Sequence, residues 1–461
     1  MALTQKKPEE MTLEEKRALA RQLLAQRNQA NQAMAEERAE SLQQYTEHTY
    51  DEFMYGSTTD YEEAESFQQW VEQLREQDAY FFEVPRAKAQ RPEVELANPS
   101  GEPRPMLNFS SYNYLGFGFH PDVLQAAKDA LDTYGLGACS SPVISGTFSV
   151  HKALEDKLVE FYGLPDRGVS LFSSGYGVNT GTLSALMKQG HHIVLDQLAH
   201  ASLVEGAQLS GARVHYFEHN DVDHLERVLQ RINAKENRTL VCTEGVFSAD
   251  GDFGNIAGIA RVAKAHRAKI LVDEAHSVML TGPNGRGAAE QQGALDQVDL
   301  MVITFSKAFG GVGGALIAPQ PVIQYVNWYA RCRMFSCALD PAVTGGILKA
   351  LELGMGDAGR VRRERLQANV AALRERLAPH VTLVSSDTWV MPVLFGSEKL
   401  TIPLNKFLHD EGLDTSIMQY PAVNRGEARI RMFVTSEHTE AQIDRAAEII
   451  RKAATRFGFL R

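Results

Sequence analysis

The sequence predicts an α/β architecture: a large domain on a mostly parallel seven-stranded sheet with helices on both faces, then a smaller α+β domain, with a helical extension in front. Three observations predict it. From Leu107 onward, apolar runs of strand length alternate with amphipathic runs of helix length, as repeated strand–helix–strand units require. After Pro341 an arginine-rich helical stretch gives way to alternating strand-like runs. Before that body, residues 1–45 are charged, rich in glutamine and alanine, and nearly free of glycine and proline. The expected boundaries are 1–100 for the extension and linker, 101–340 for the large domain and 341–461 for the small one.

The strand candidates of the large domain are Val169–Phe172, His192–Leu195, Arg213–Phe217, Thr239–Glu244, Lys269–Val272, Leu300–Phe305 and Ala315–Ala318. Between them, Gly177–Lys188, Ser202–Leu209, Val222–Ile232 and Ile256–His266 have helical length. In the small domain VTLVSS from Val381, WVMPVLF from Trp389 and ARIRMFV from Ala428 read as strands, followed by a closing helix. In the extension, Thr12 and Glu15 have capping-box spacing ahead of Leu19, Leu23 and Leu24, so residues 1–45 read as one long helix. A second helix is expected around Gln69–Gln77, and the stretch ending in NPSGEPRP reads as a turn-rich loop.

Composition narrows the function classes. The chain has 461 residues, 44% of them hydrophobic and 23% charged, enough to bury a large core without staples. A formal net charge of −11 and the lack of a basic tract argue against a nucleic-acid partner. The four cysteines show no CxxC spacing, so neither a zinc site nor a disulfide framework is indicated, and a reducing, cytoplasmic location is expected. The N-terminus has no apolar signal core, and no apolar run approaches membrane-spanning length.

In an open parallel sheet, ligands bind beyond the carboxyl ends of the strands. The residues at those ends are Gly175 and Tyr176, His200, Ser248, Asp273 with His276, and Lys307 in TFSKAFGGVGG. Alone, Lys307 reads as a strand-end lysine reaching to water. Together these groups match what pyridoxal phosphate needs: a Schiff-base lysine, a carboxylate for the pyridinium nitrogen and donors for the phosphate. An ionised Asp273 keeps that nitrogen protonated. SSGYGVN offers a turn leading into a helix as phosphate cradle, and Thr304 adds a hydroxyl. The glycines after Lys307 are expected to leave room for cofactor and substrate. DEAH also occurs in nucleotide-driven helicases, but the chain contains no Gly-Lys pair and hence no phosphate-binding G-x-x-x-x-G-K loop.

From Asn108 to the C-terminus the motifs run in an order that resembles the α-oxoamine synthases: NFSSYNYLGF at Asn108, SGTFSVHKALE at Ser145, FSSGYGVNTG at Phe172, DQLAHASLVEGAQLSGA at Asp196, HND at His219, TEGVFSADGD at Thr243, LVDEAHS at Leu271, GRG at Gly285, TFSKAFGGVGG at Thr304 and ARIRM at Ala428. The resemblance implies the fold-type I aminotransferase architecture and a homodimer with shared active sites. It implies a reaction that joins an amino acid to an acyl thioester with loss of carbon dioxide. On matching positions, Lys307 would anchor the cofactor and then act as general base, and Asp273 would bind the pyridine nitrogen. His276, and also Ser248, would bond the ring hydroxyl, while His200 would stack on the ring and help orient the amino-acid carboxylate. Gly175, Tyr176 and Thr304 would hold the phosphate. Arg431 would grip the amino-acid carboxylate, with Asn113 close to substrate.

Departures from the family pattern bear on substrate. Ser141-Pro142-Val143 stands where aminolevulinate synthases carry Thr-Arg-Asn, which removes the polar grip on a succinyl group and favours an apolar acyl chain. Ser141 would leave room for serine or alanine beside glycine. SSYNYLGF looks closer to the serine palmitoyltransferases than to the biotin-pathway enzyme. FSCALDP at Phe335 differs from the usual hydroxyl-rich run, with Ser336 as the substitute phosphate contact from a partner subunit. The leading expectation is a decarboxylating condensing enzyme, including a serine palmitoyltransferase proper. Its competitors are an aminotransferase or lyase, and a silent subunit of a heterodimer. The extension would suit docking of an acyl carrier protein.

Overall fold

In the computed structural model, residues 61–97 and 103–461 are described, apart from residues 165 and 386, so the long helix expected over residues 1–45 lies outside them. A helix spans Glu62–Glu76 and buries Trp70, Val71 and Leu74, covering the expectation around Gln69–Gln77. Next come β1 (Glu93–Ala97) and β2 (Pro103–Asn108), paired antiparallel where the sequence suggested a loop. The alternation of Val94 and Leu96 with glutamates is the overlooked signal, since both pack with Met106 on one face.

The main sheet contains β3 (Arg167–Phe172), β4 (His192–Asp196), β5 (Arg213–Phe217), β6 (Thr239–Glu244), β7 (Lys269–Asp273), β8 (Leu300–Thr304) and β9 (Gly314–Pro319). Their spatial order is β3-β9-β8-β7-β6-β4-β5. All run the same way except β9, which is antiparallel to both β3 and β8. Strands β4, β6 and β8 are buried along their whole length because helices cover both faces. Val194, Val241, Val272 and Ile303 point to one apolar layer, and Ile193, Cys242, Leu271 and Val302 to the other. Parallel direction puts the carboxyl ends of β3, β4, β6, β7 and β8 along one edge.

Helix Pro341–Met355, capped by Asp340, packs on the helix Pro121–Tyr134 of this body. The later strands are β10 (Val390–Gly396), β11 (Leu413–Asp414), β12 (Ser416–Met418) and β13 (Ala428–Phe433), and a helix over Glu440–Phe457 follows. Strands β10, β13 and β12 form an antiparallel sheet. VTLVSS does not form a strand. It makes one bridge, Leu383 to Val393, and Val384 N–H donates to Pro392 O at 3.1 Å. Pro392 has no N–H to return, so the ladder stops. Strand β11 pairs parallel with β2; the sheet β1-β2-β11 thus joins residues from all three expected segments. Among the described residues no helix is long and apolar enough to cross a membrane.

Candidate active site

Lys307 follows β8 by three residues in a tight turn. Gly310 N–H donates to Lys307 O at 2.9 Å, and Gly311 N–H to Phe305 O at 2.8 Å. Phe305 and Phe309, both buried, meet edge to face at 5.2 Å and give the turn an apolar base. Burial pushes the Lys307 amine down to about 8, although the carboxylates of Asp273 and Glu244 pull it up. Two of the glycines here line the cavity and are also needed for close packing. A Cβ on Gly310 (φ +71°) would lie 2.2 Å from Gly118 N, and one on Gly311 2.7 Å from the Ile347 side chain.

Asp273 ends β7. Its Oδ2 accepts from Asn179 Nδ2 at 2.6 Å and its Oδ1 from Ala275 N–H at 2.9 Å. The other Asn179 N–H reaches Ser202 Oγ at 2.9 Å, and Ser202 Oγ lies 2.8 Å from His200 Nδ1. One hydrogen-bonded chain therefore links Asp273 to His200. Burial lowers the His200 pKa, with Asp273 raising it and Lys307 opposing, so the ring is neutral. Glu244 pairs with Asp273 across β6 and β7 and accepts His200 N–H at 2.6 Å. Burial, then the Asp273 charge, pushes the Glu244 carboxyl up.

His276 is buried, and Tyr114 Oη lies 2.8 Å from its Nδ1. Burial holds the imidazole well below its ordinary pKa and the Tyr114 phenol well above. Both are neutral. In the tautomer in which Tyr114 donates to Nδ1, the imidazole proton sits on Nε2 and is available as a donor. Trp389 Nε1–H fixes the backbone by donating to His276 O at 2.7 Å. The neighbouring acid, Glu274, serves the scaffold: its carboxylate accepts the amides of Ala288 and Ala289, each at 2.8 Å.

Gly175 and Tyr176 lie in the first turn of helix Gly175–Leu186 rather than in a separate turn, with Ser174 as N-cap accepting Gly177 N–H at 3.0 Å. The opening amides of a helix have no intrahelical acceptor and face anions. Tyr176 is exposed and its hydroxyl turns to Glu205. A Cβ on Gly175 would lie 2.7 Å from Thr304 Oγ1, and Thr304 Oγ1 is 2.8 Å from Ser306 Oγ.

Arg431 comes from β13, in the sheet β10-β13-β12. Its Nη1 donates to Ser248 O at 3.0 Å, its Nη2 to Tyr112 Oη and Ser416 Oγ at 3.3 Å each, and the guanidinium lies 4.8 Å from the Phe433 ring centroid. These acceptors are all neutral; among the described residues no carboxylate comes within ion-pair distance. For Ser248, the carbonyl takes this partner rather than the expected hydroxyl. Arg431 and Asn113 line a cavity of about 1100 Å³, together with Ser306, Gly310, Phe81, Phe82, Ile417 and Met418. Asn113 Oδ1 accepts Gly118 N–H at 3.2 Å and its Nδ2 donates to Gln90 O at 3.3 Å.

Residues 104–450 match the family model described as aminotransferase class I and II. An 8-amino-7-oxononanoate synthase of Salmonella choleraesuis (strain SC-B67) is 38% identical over 76% of this chain and 90% of its own length. One from Alkaliphilus metalliredigens (strain QYMF) is 36% identical over 77% and 89%. A serine palmitoyltransferase from S. paucimobilis, solved with a bound PLP–myriocin aldimine, superposes with a TM-score of 0.81 at 32% identity, covering 87% of this chain and 100% of that one. The 8-amino-7-oxononanoate synthase of Francisella tularensis gives a TM-score of 0.65 at 27% identity, over 75% and 97%.

The chain is an α-oxoamine synthase of the class I and II aminotransferase family. It has the fold-type I architecture and is a pyridoxal-phosphate-dependent acyltransferase. The residues present fit that cofactor. A depressed amine, a buried carboxylate, a neutral imidazole and a helix N-terminus packed closely on Thr304 through Gly175 stand along one sheet edge. Ser141 and Ser336 are not joined to this cluster. Ala338 N–H donates to Ser140 O at 2.9 Å, so their two segments lie side by side, and the Ser141 hydroxyl is buried without a partner.

Several residues of the site were not singled out from the sequence. Asn179 lies inside FSSGYGVNTG, four residues beyond Gly175, the first residue of the helix, a spacing that returns to the same helix face. Tyr112 and Tyr114 alternate with Asn113 in SSYNYLGF. Ser416 and Glu244 carried no distinguishing signal.

Proposed function

We propose that the protein condenses a small amino acid, serine, alanine or glycine, with an apolar acyl thioester, releasing carbon dioxide and free thiol and giving an α-amino ketone. The observation that carries this reading is Arg431: a guanidinium in the cavity wall whose protein partners are all neutral acceptors, placed to take an α-carboxylate. Pyridoxal phosphate supplies the electron sink for a carbanion at the substrate α-carbon. With the cofactor bound, Asp273, steadied by Asn179, would hold the proton on the ring nitrogen. His276 would donate to the ring oxygen, and the neutral His200 would cover the ring. Lys307 Nζ takes the α-proton and later returns it. Its depressed pKa supports that duty, because the neutral amine is the base.

The apolar acyl preference is supported by the cavity, whose lining includes Phe81, Phe82, Ile417 and Met418. The likeness to serine palmitoyltransferase supports a long chain, and the likeness to 8-amino-7-oxononanoate synthase leaves alanine among the amino acids. Coenzyme A and an acyl carrier protein are the two candidate carriers. We also infer that two copies share their sites. Tyr325, Trp328, Tyr329 and Phe335 are exposed, and Trp328 shares a cleft with Pro142 and Val143, beside the stranded Ser141 and Ser336.

A mass-spectrometric product screen of the three amino acids against coenzyme A and carrier-protein thioesters of graded length tests the reading. Release of thiol and carbon dioxide with an α-amino ketone is expected; transamination without thiol release would refute it. Arg431→Lys should weaken amino-acid binding about 10- to 100-fold, the worth of charge-assisted hydrogen bonds of ~1.5–3 kcal/mol.

A further inference from the structure

Both ring nitrogens of His219 face carboxylates: Nδ1 is 2.9 Å from Asp196 Oδ1, and Nε2 is 2.8 Å from Asp252 Oδ2. A neutral imidazole has one N–H and an ionised carboxylate has none to give. Both contacts are satisfied by the imidazolium. Asp196 is fully buried and also accepts the amides of Leu198 at 2.9 Å and Asn220 at 3.0 Å, an environment that suits the anion. Burial works against the charged ring, but the hydrogen bonds to Asp196 and Asp252 raise it to about 10.

The three members come from the neighbouring strands β6, β4 and β5. Asp196 ends β4, His219 follows β5, and Asp252 lies on the hairpin after β6. Asn220 reinforces the link, donating from Nδ2 to Asp252 Oδ2 at 2.9 Å and to Phe253 O at 3.0 Å. The hairpin is closed by Phe247 N–H to Asp252 O at 3.0 Å and by a bridge between Val246 and Phe253. The Phe247 ring stands edge-on to His219 at 4.5 Å.

The tip of this hairpin reaches the sheet β10-β13-β12. Ser248 O accepts from Arg431 Nη1 at 3.0 Å, Asp250 Oδ1 from Arg429 Nη1 at 2.8 Å, and Gly251 O from Thr388 Oγ1 at 2.6 Å. The base of the hairpin is thus set by charge-assisted bonds on the main sheet, and its tip sets two arginines of β13. We propose that His219 is a positioning residue: bridging Asp196 and Asp252 as a cation, it fixes the 247–252 hairpin so that the Ser248 carbonyl aims Arg431 at the carboxylate of the amino-acid substrate. The inference rests on the reading of Arg431 as the carboxylate grip.

The test uses the full-length holoenzyme titrated with serine, alanine and glycine, followed by the change in cofactor absorbance. His219→Gln is expected to raise the amino-acid Kd roughly tenfold, as a displaced positioning group does, while the acyl-thioester KM stays within about twofold of wild type. Asp252→Asn should raise the same Kd by less, and carries the test if the first variant fails to fold. An unchanged Kd in the folded variants, or an equal rise in the acyl-thioester KM, overturns the proposal. Arg431→Lys separates the two layers. If it leaves the Kd unchanged, the grip reading falls and takes the proposal's premise with it; if it weakens binding and His219→Gln does not, the positioning role alone falls. In the double variant the His219→Gln effect should vanish, within about twofold, because both changes act on one contact. Independent multiplication of the two effects would overturn it.

Discussion

The Lys307 amine should titrate near 8, and this can be measured on the cofactor-free protein. Burial is the largest cause of the lowering, with Asp273 and Glu244 opposing it. At pH 7 an amine of pKa about 8 is neutral in roughly one molecule in eleven, against about one in three thousand at the unperturbed value. The site therefore raises the neutral, reactive form roughly 300-fold. Competitive acetylation across pH, with the Lys307 peptide read by mass spectrometry, should give a midpoint near 8. The sign of the opposing charge gives a second, sharper test. Asp273→Asn removes a group that raises the pKa, so the midpoint should move further down even though the variant loses the ring-nitrogen partner. A wild-type midpoint at or above 10, or an upward move in Asp273→Asn, would refute the balance of burial against charge derived from the structure.

Two further outcomes follow from packing. Gly251→Ala should destabilise the folded chain by at least ~1–2 kcal/mol from the left-handed backbone alone, since φ is +72° and the new Cβ would lie 2.2 Å from Val390 O; an unchanged urea midpoint would contradict the hairpin packing. Met418→Trp should fill part of the cavity that Met418 lines and shift the preferred acyl thioester to shorter chains. An unaltered chain-length profile would show that the acyl group lies elsewhere.

The main sheet was legible because its central strands are short, uninterrupted apolar runs, and because parallel direction converts a list of strand ends into one place. Lys307, Asp273, His276, His200 and Gly175 could be grouped on that ground. Their roles depend on finer matters that local sequence does not carry. Asn179 and Tyr114 become site residues only through atoms brought close by packing, and nothing near Ser248 in the chain indicates that its carbonyl would be the part used. VTLVSS had the composition of a strand, but its ladder depends on a partner that contains Pro392. The β1–β2 pairing was hidden by the proline- and glycine-rich stretch between and within its strands. The glycines after Lys307 were legible as special, yet the reason, close approach of Gly118 and Ile347, needed the third dimension.

The sheet β1-β2-β11 has a consequence for how the site comes into being. Strand β2 receives its parallel neighbour only when residues 413–414 exist, more than three hundred positions later in synthesis. Asp414 is also the carboxylate that holds Arg86, at 2.7 Å, beside Phe81 and Phe82 in the cavity wall. Contacts of such sequence separation form late, because the entropy of closing the intervening chain is lost before they return anything. The lysine, aspartate and histidines of the main sheet can therefore assemble while one wall of the cavity is still missing. A chain cut before residue 413 would keep the residues of the reaction and lose part of the room in which it happens.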